Sequence, residues 1–424
     1  MKINKAKYVK QTIYIISISM YSILMFILFY RQCIGYNGLY LSDMEAYINE
    51  IIGIGSNYTF PYPLMFSIGK IFALFFNANI ALALTITLLN TLSVIALKWF
   101  IEHFVKCEFE KRNKIYSIKW DYLIIFLTYT LFFISMLHIP NGRGIFGIYL
   151  DYRCNGVYTP NPFWNATYLA TRPFTIIAFF YGIRVLDTYE NMFNKRSTII
   201  FGTALFLSTI TKPSYTLIVM PVFFLIIVYR FLKSKAKNLK QSFYFGLSFM
   251  PTILALLYQY KDVFTGTNSM GEETGIGLEF AKAWSLQSRN IGMSIVYAMA
   301  FPIGVFLINL FKLKGTTWFR HGWQLILSGF IMFIFLYEKG FRLTHMNFSW
   351  GYMHGLFFVF VVSVMMLFVN TLDVFMVKVQ SENKLKIIAF RIMMIIGWLG
   401  YLLHLICGLS YFLFIYMGNN SGTF

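Results

Sequence analysis

"PYPLMFSIGKIFALFF", residues 61–76, decides how the rest of the chain is threaded. It is apolar enough to pass for a membrane span. Yet only about 14 helical residues follow Pro63, and at roughly 1.5 Å each they reach about 21 Å, short of the roughly 30 Å hydrocarbon core. Proline is tolerated in a first helical turn, so Pro61 and Pro63 mark a helix start. The stretch therefore reads as a re-entrant or surface helix. Counting it as a span would move "EHFVKCEFEKRNKIYSIKW", residues 102–120, to the side opposite the N-terminus.

Working outward, the class is plain. The 424 residues are 58% hydrophobic and only 12% charged, about half the charge of a soluble chain. Long apolar runs recur throughout, which predicts an all-α, polytopic membrane protein. Spans are expected near 11–30, 80–101, 121–138, 168–186, 198–210, 214–232, 243–258, 291–311, 321–337, 351–374 and 390–416, eleven in all. Pro213 breaks the helix between the fifth and sixth. Residues 1–424 form one transmembrane domain with no separate soluble domain. The apolar run after "MKINKAKYVK" has no small-residue cleavage site behind it and reads as a retained first span.

With 61–76 kept out of the count, most of the 36 Lys and Arg residues fall on the side of the N-terminus. The positive-inside rule makes that side cytoplasmic. The same bias accounts for the formal charge of +19, because the basic residues are scattered over short loops; nucleic acid is not an expected partner. The long loops 31–79, 139–167, 259–290 and 338–350 then face outward, placing the chemistry on the non-cytoplasmic side of a plasma (inner) membrane. Loop 31–79 is expected to carry two outward-facing interfacial helices.

The first of these is "YLSDMEAYINEI", residues 40–51. Met44, Tyr47, Ile48, Ile51 and Ile52 form one apolar stripe at helical spacing, with Asp43, Glu45 and Glu50 on the polar side. Ser42 and Glu45 have the spacing of a capping box, and Asp43 suits the dipole of a first turn. A capped, rigid helix is also a suitable mount for a general base, and Asp43 is the candidate to take a proton from an incoming hydroxyl.

An acidic residue just outside the first span, two surface helices, and the step Tyr58, Pro61, Tyr62, Pro63, Leu64 (Y-x-x-P-x-P-L) resemble the GT-C superfamily of integral-membrane glycosyltransferases. The likeness in motif covers roughly residues 10 to 100, including "NANIALALTITLLN" at the head of the second span. It implies a polyprenyl-phosphate-linked sugar donor, attacked on the non-cytoplasmic face with the first-loop acid as base. Here the acidic motif is D-x-E, Asp43 and Glu45, where some members carry D-x-D. With the substrate phosphate, that pair is the candidate ligand set for Mg²⁺ or Mn²⁺.

A phosphate-bearing lipid needs cations on the outer face. Arg143, Arg153 and Arg172 are candidates, the last at the head of a span, where a positive charge is costly unless paired or functional. Arginine can grip two phosphate oxygens with one planar fork. Lys212, beside Pro213, is a further candidate. "YEKGFRLTHMNFSWGYMH", residues 337–354, adds Glu338, Arg342, His345, Asn347 and Trp350 between two apolar spans. Glu338, His345, Asn347 and Trp350 suit a sugar or acceptor, and Arg342 a phosphate.

The remaining motifs are negative. There is no P-loop, "GIGSNY" lacks the third glycine of a dinucleotide site, and no H-E-x-x-H occurs. The four cysteines lack paired spacing; Cys33 and Cys154 could pair if both face outside. The sequons at Asn57, Asn165 and Asn347 read as chance. No internal repeat suggests a two-halved transporter. The expected activity is sugar transfer from a polyprenyl-phosphate donor to a lipid-linked or cell-surface glycan acceptor. The alternatives are a polysaccharide repeat-unit polymerase and a non-enzymatic lipid or glycan flippase.

Overall fold

The computed structural model describes residues 2–54, 60–139, 143–144, 157–264, 274–310, 316–376 and 384–420. The chain is a bundle of helices. In order they are α1 (Lys2–Cys33), α2 (Met44–Ile52), α3 (Leu64–Ala73), α4 (Ala78–Lys111), α5 (Ile118–Phe133), α6 (Ala166–Thr188), α7 (Lys195–Thr209), α8 (Ser214–Lys233), α9 (Leu239–Leu247), α10 (Met250–Phe264), α11 (Lys282–Ser285), α12 (Ile291–Ile308), α13 (Thr317–Phe335), α14 (Ser349–Met376) and α15 (Lys384–Tyr416). Two short antiparallel pairs join β1 (His138–Ile139) to β2 (Arg143–Gly144) and β3 (Ile276–Leu278) to β4 (Leu336–Glu338).

Among the described residues, seven segments are long and apolar enough to cross a membrane: Tyr8–Cys33, Ala78–Lys111, Ala166–Thr188, Ser214–Lys233, Ile291–Ile308, Gly340–Phe375 and Ile387–Tyr416. The chain is thus a largely helical, polytopic membrane protein. The expected span at 243–258 is two helices, α9 and α10. Pro251 removes a backbone donor and its ring collides with the carbonyl four residues back, so the helix stops at Leu247 and restarts at Met250. The expected span at 121–138 ends at Phe133, with Ile134 extended. There the Asn161 side-chain amide donates to the carbonyls of Leu131 and Ile134 at 3.1 and 2.8 Å, satisfying the open helix end.

Both loop helices form, and both are short. Helix α3 has 10 residues, about 15 Å of helix. Its first N–H, on Leu64, donates to the Ile210 carbonyl at 2.9 Å, tying it to the turn after α7. Helix α2 buries Met44, Tyr47 and Ile51, while Ile52 at the stripe's end is exposed. The capping box does not form. The N-cap is Asp43, one residue later than the spacing suggested, and its side chain makes no cap bond; the Ser42 hydroxyl is buried without a partner among the described residues.

Helix α14 is the axis of the bundle, with every residue from 349 to 370 buried. Glycines bring α13 against it: a Cβ on Gly329 would lie 2.8 Å from Tyr352 Cα, and one on Gly355 2.7 Å from Ile326 Cα. Such close approach of backbones strengthens packing where lipid offers no hydrophobic drive. Elsewhere asparagines start the helices. Asn77, Asn165, Asn194 and Asn290 each accept from a backbone N–H three residues on.

Candidate functional site

Five stretches of chain enclose a cavity of about 290 Å³. Helix α2 supplies Asp43 and Tyr47, and the strap before α3 supplies Phe60 and Tyr62. The segment before α6 brings Tyr158, Trp164 and Asn165, the turn before α8 brings Lys212, and residues 342–353 bring Arg342, His345, Asn347 and Trp350. Candidate base, candidate phosphate cations and candidate sugar groups therefore line one space, although up to 307 positions separate Asp43 from Trp350.

Asp43 is exposed to the cavity mouth. Tyr47 Oη donates to its Oδ2 at 3.5 Å. Tyr47 is itself held between Phe60 and Phe66, with ring centroids 5.3 and 6.0 Å away. Burial raises the Tyr47 phenol well above its ordinary value, and the Asp43 charge adds to the shift; Tyr47 therefore stays a donor. Glu45 is exposed and lies outside the cavity lining. Two residues apart on a helical turn, Asp43 and Glu45 face different ways. Among the described residues no group of three or more His, Cys, Asp or Glu could hold a metal ion.

Lys212 is buried. Its Nζ donates to Asn165 Oδ1 at 3.2 Å and Thr167 Oγ1 at 2.9 Å, and sits 4.2 Å from the centre of the Trp350 ring. One face of Trp350 is thus covered by the Lys212 amino group, and Trp164 packs against the ring edge-on at 5.3 Å. Burial pushes the Lys212 pKa down to about 7, against an opposing pull from Asp43.

Arg342 lies in a 3₁₀ turn (Gly340–His345). Its Nε donates to Glu338 Oε1 at 3.3 Å, and the Asn347 amide donates to Glu338 Oε2. Glu338 is buried, which raises its pKa, while Arg342 and Asn347 pull the other way. Glu338 orients Arg342 and Asn347; it does not itself line the cavity. His345 does.

Arg172 is not in the cavity. Its guanidinium is fully buried among Phe132, Tyr168 and Phe357, 5.4, 5.2 and 4.9 Å from the ring centres. It donates to the Pro160 carbonyl at 2.7 Å, with Nε and Nη1 unpartnered among the described residues. The ring faces attract the cation, and the Pro160 bond anchors the segment that presents Tyr158, Trp164 and Asn165. Its phosphate-clamp role is withdrawn. Arg172→Ala should lower stability by about 2–5 kcal/mol, as for other large buried side chains, with the folded fraction still binding anions as the parent does. Thermal unfolding and anion binding measured on one detergent-purified sample check this.

Arg143 is placed in β2, whereas Arg153 lies outside the described residues, as do Asn57 and Cys154. Cys33 is buried and has no disulfide partner among the described residues. Asn165 and Asn347, read as chance sequons, are engaged in the site. Asn165 accepts from Tyr168 N, Thr167 Oγ1 and Lys212 Nζ. Sequence reasoning missed it, although an Asn immediately before a long apolar run is an N-cap signal.

A second cavity, of about 420 Å³, adjoins the first and is almost wholly apolar. Leu217 and Met220 of α8 line one side, and Ile253, Leu256, Leu257 and Tyr260 of α10 the other. The two cavities share Tyr62, Lys212, Arg342, Asn347 and Trp350. At their junction a polar chamber with two cations opens into a greasy groove. The chain matches no family model, no curated protein and no solved structure.

Proposed function

We propose that this chain is a membrane glycosyltransferase that moves a sugar from a polyprenyl-phosphate-linked donor to a lipid-linked or cell-surface glycan acceptor on the non-cytoplasmic face. The observation that carries the reading is the junction of the two cavities at Lys212 and Arg342. A polyprenyl-phosphate sugar has three parts in the same order: a polar head, an anionic phosphate and a long apolar tail. The head fits the chamber beside Asp43, the phosphate meets the two cations, and the tail lies between α8 and α10.

In this reading Asp43 takes the proton from an acceptor hydroxyl. The freed oxygen lone pair attacks the anomeric carbon, the carbon–oxygen bond to phosphate breaks, and its electrons leave on the phosphate. Lys212 and the Arg342 fork meet that charge in a partly dehydrated site, where fixed cations act most strongly. His345, Asn347 and Asn165 supply hydrogen bonds to hydroxyls. No step is routed through a metal ion.

The reading includes eleven spans with the N-terminus cytoplasmic and α2 and α3 lying in the outer interface. Leu41 and Ile115 are both exposed. In a chain with the four native cysteines replaced, Leu41→Cys should react with an impermeant thiol reagent added outside, and Ile115→Cys should not. Reversed labelling would put the candidate site on the wrong side.

The direct test feeds membranes containing the chain a panel of labelled polyprenyl-phosphate sugars and follows label leaving the lipid fraction. Transfer that disappears in Asp43→Asn supports the enzyme. No transfer from any donor, together with donor crossing the bilayer in proteoliposomes, would replace it with the flippase.

A further inference from the structure

The two cations at the junction differ in how they are held. Arg342 has a carboxylate partner in Glu338. Lys212, among the described residues, has none within 4 Å. Its two hydrogen-bond acceptors are neutral, and Asn165 Oδ1 is already shared with the N-cap of α6 and with Thr167. A buried amine in such surroundings gains little by carrying charge until an anion arrives.

We propose that Lys212 takes up a proton when a phosphate ester enters the junction, so that the site binds its anion together with one proton and releases the two together. The proposal rests on the reading of the junction as a phosphate site and adds its proton balance. The amine lone pair accepts a proton from solvent, giving an ammonium beside the incoming phosphate oxygen; no bond of the ligand breaks. A third N–H is then available to the ligand, since the first two are committed to Asn165 and Thr167.

The depressed pKa of Lys212 supports this, and its cause is burial. The titratable groups that line the two cavities with Lys212 are Asp43 and Tyr47 from α2, Tyr62 from the strap, Glu338 from β4, and Arg342 and His345 from the 3₁₀ turn; His354 from α14 feels the charges of both Lys212 and Arg172. Burial opposes the ammonium and Asp43 favours it. The anion reverses that balance. Linkage sets the sign: where free protein lacks the proton and the complex holds it, affinity falls as pH rises, by up to about tenfold per pH unit.

The probes are two phosphodiesters whose single charge is constant over the range used: dimethyl phosphate, and methyl farnesyl phosphate in detergent. Calorimetric titrations of the full chain at pH 8.5, in two buffers of different ionisation enthalpy, read protons taken up per ligand bound. The expected result is close to one proton per bound diester, falling towards zero at pH 5.5. Lys212→Arg should bind with no proton uptake and little pH dependence, and Lys212→Met should bind more weakly, also without uptake. Tighter binding of the farnesyl diester would identify the anion as a lipid headgroup; equal binding would identify a free phosphate ester. Binding without proton uptake by the parent chain, or uptake that persists in Lys212→Arg, overturns the proposal and leaves the phosphate reading standing. If neither diester binds, both fall.

Discussion

Asp43→Asn should slow sugar transfer by about 10²- to 10⁴-fold, the range typical of losing a general base, while melting temperature and protein level stay close to the parent. The two halves separate the base from a helix-start role. Asparagine keeps the shape and is a good N-cap residue. The side chain it replaces makes no cap bond, so little local stability is at stake. Ser42→Ala is the companion measurement. Its hydroxyl has no hydrogen-bond partner among the described residues, so stability should change by only a few tenths of a kcal/mol and transfer by less than twofold. Transfer at parental rates in Asp43→Asn would remove the base from the mechanism.

Arg342→Ala should weaken donor use by about 2–4 kcal/mol, roughly 30- to 900-fold in kcat/KM, as for truncating one member of a desolvated charge pair. Part of any loss could be structural, because the change leaves Glu338 buried without its cation. Adding Glu338→Gln removes that orphaned charge. The double variant should recover stability while donor use stays low. Arg342→Lys should recover only part of the activity, since a point charge lacks the fork. Parental kcat/KM in Arg342→Ala, measured with donor below saturation, would take phosphate binding away from this turn.

The parts of the molecule that could be read from sequence are those set by local spacing. The shortness of the helix after Pro63, the break at Pro213 and the apolar stripe of α2 all follow from runs of neighbouring residues. The gathering of Asp43, Lys212, Arg342, His345, Asn347 and Trp350 around one cavity was foreseeable only through topology: each lies in a stretch assigned to the same face. What failed depended on single-residue register or distant packing. Moving the start of α2 by one position dissolves the capping box and leaves Glu45 outside the cavity. Arg172 had a plausible place at the head of a span, but its destination is set by Phe132 and Phe357, on helices 40 residues before it and 185 after it. No pattern around residue 172 reports those neighbours. The split of α9 from α10 was signalled by Pro251 and obscured by the apolar residues on both sides.

Helix α14 has protein on every side from residue 349 to residue 370, yet nearly all of those residues are apolar, with Ser349, His354, Ser363 and Asn370 the polar ones. In the finished bundle an enclosed helix could carry polar groups that bond to its neighbours. During synthesis there is no such shelter: the segment leaves the ribosome late, after α1–α13, and meets lipid before it meets its final partners. Its composition satisfies the first environment, and its glycine contacts with α13 satisfy the second. The order of manufacture then governs the site as well. Asp43 and Lys212 are in place early, but the cavity has no Arg342 and no aromatic face over the lysine until this helix leaves the lipid and docks. The cavity is therefore complete only once this helix has docked.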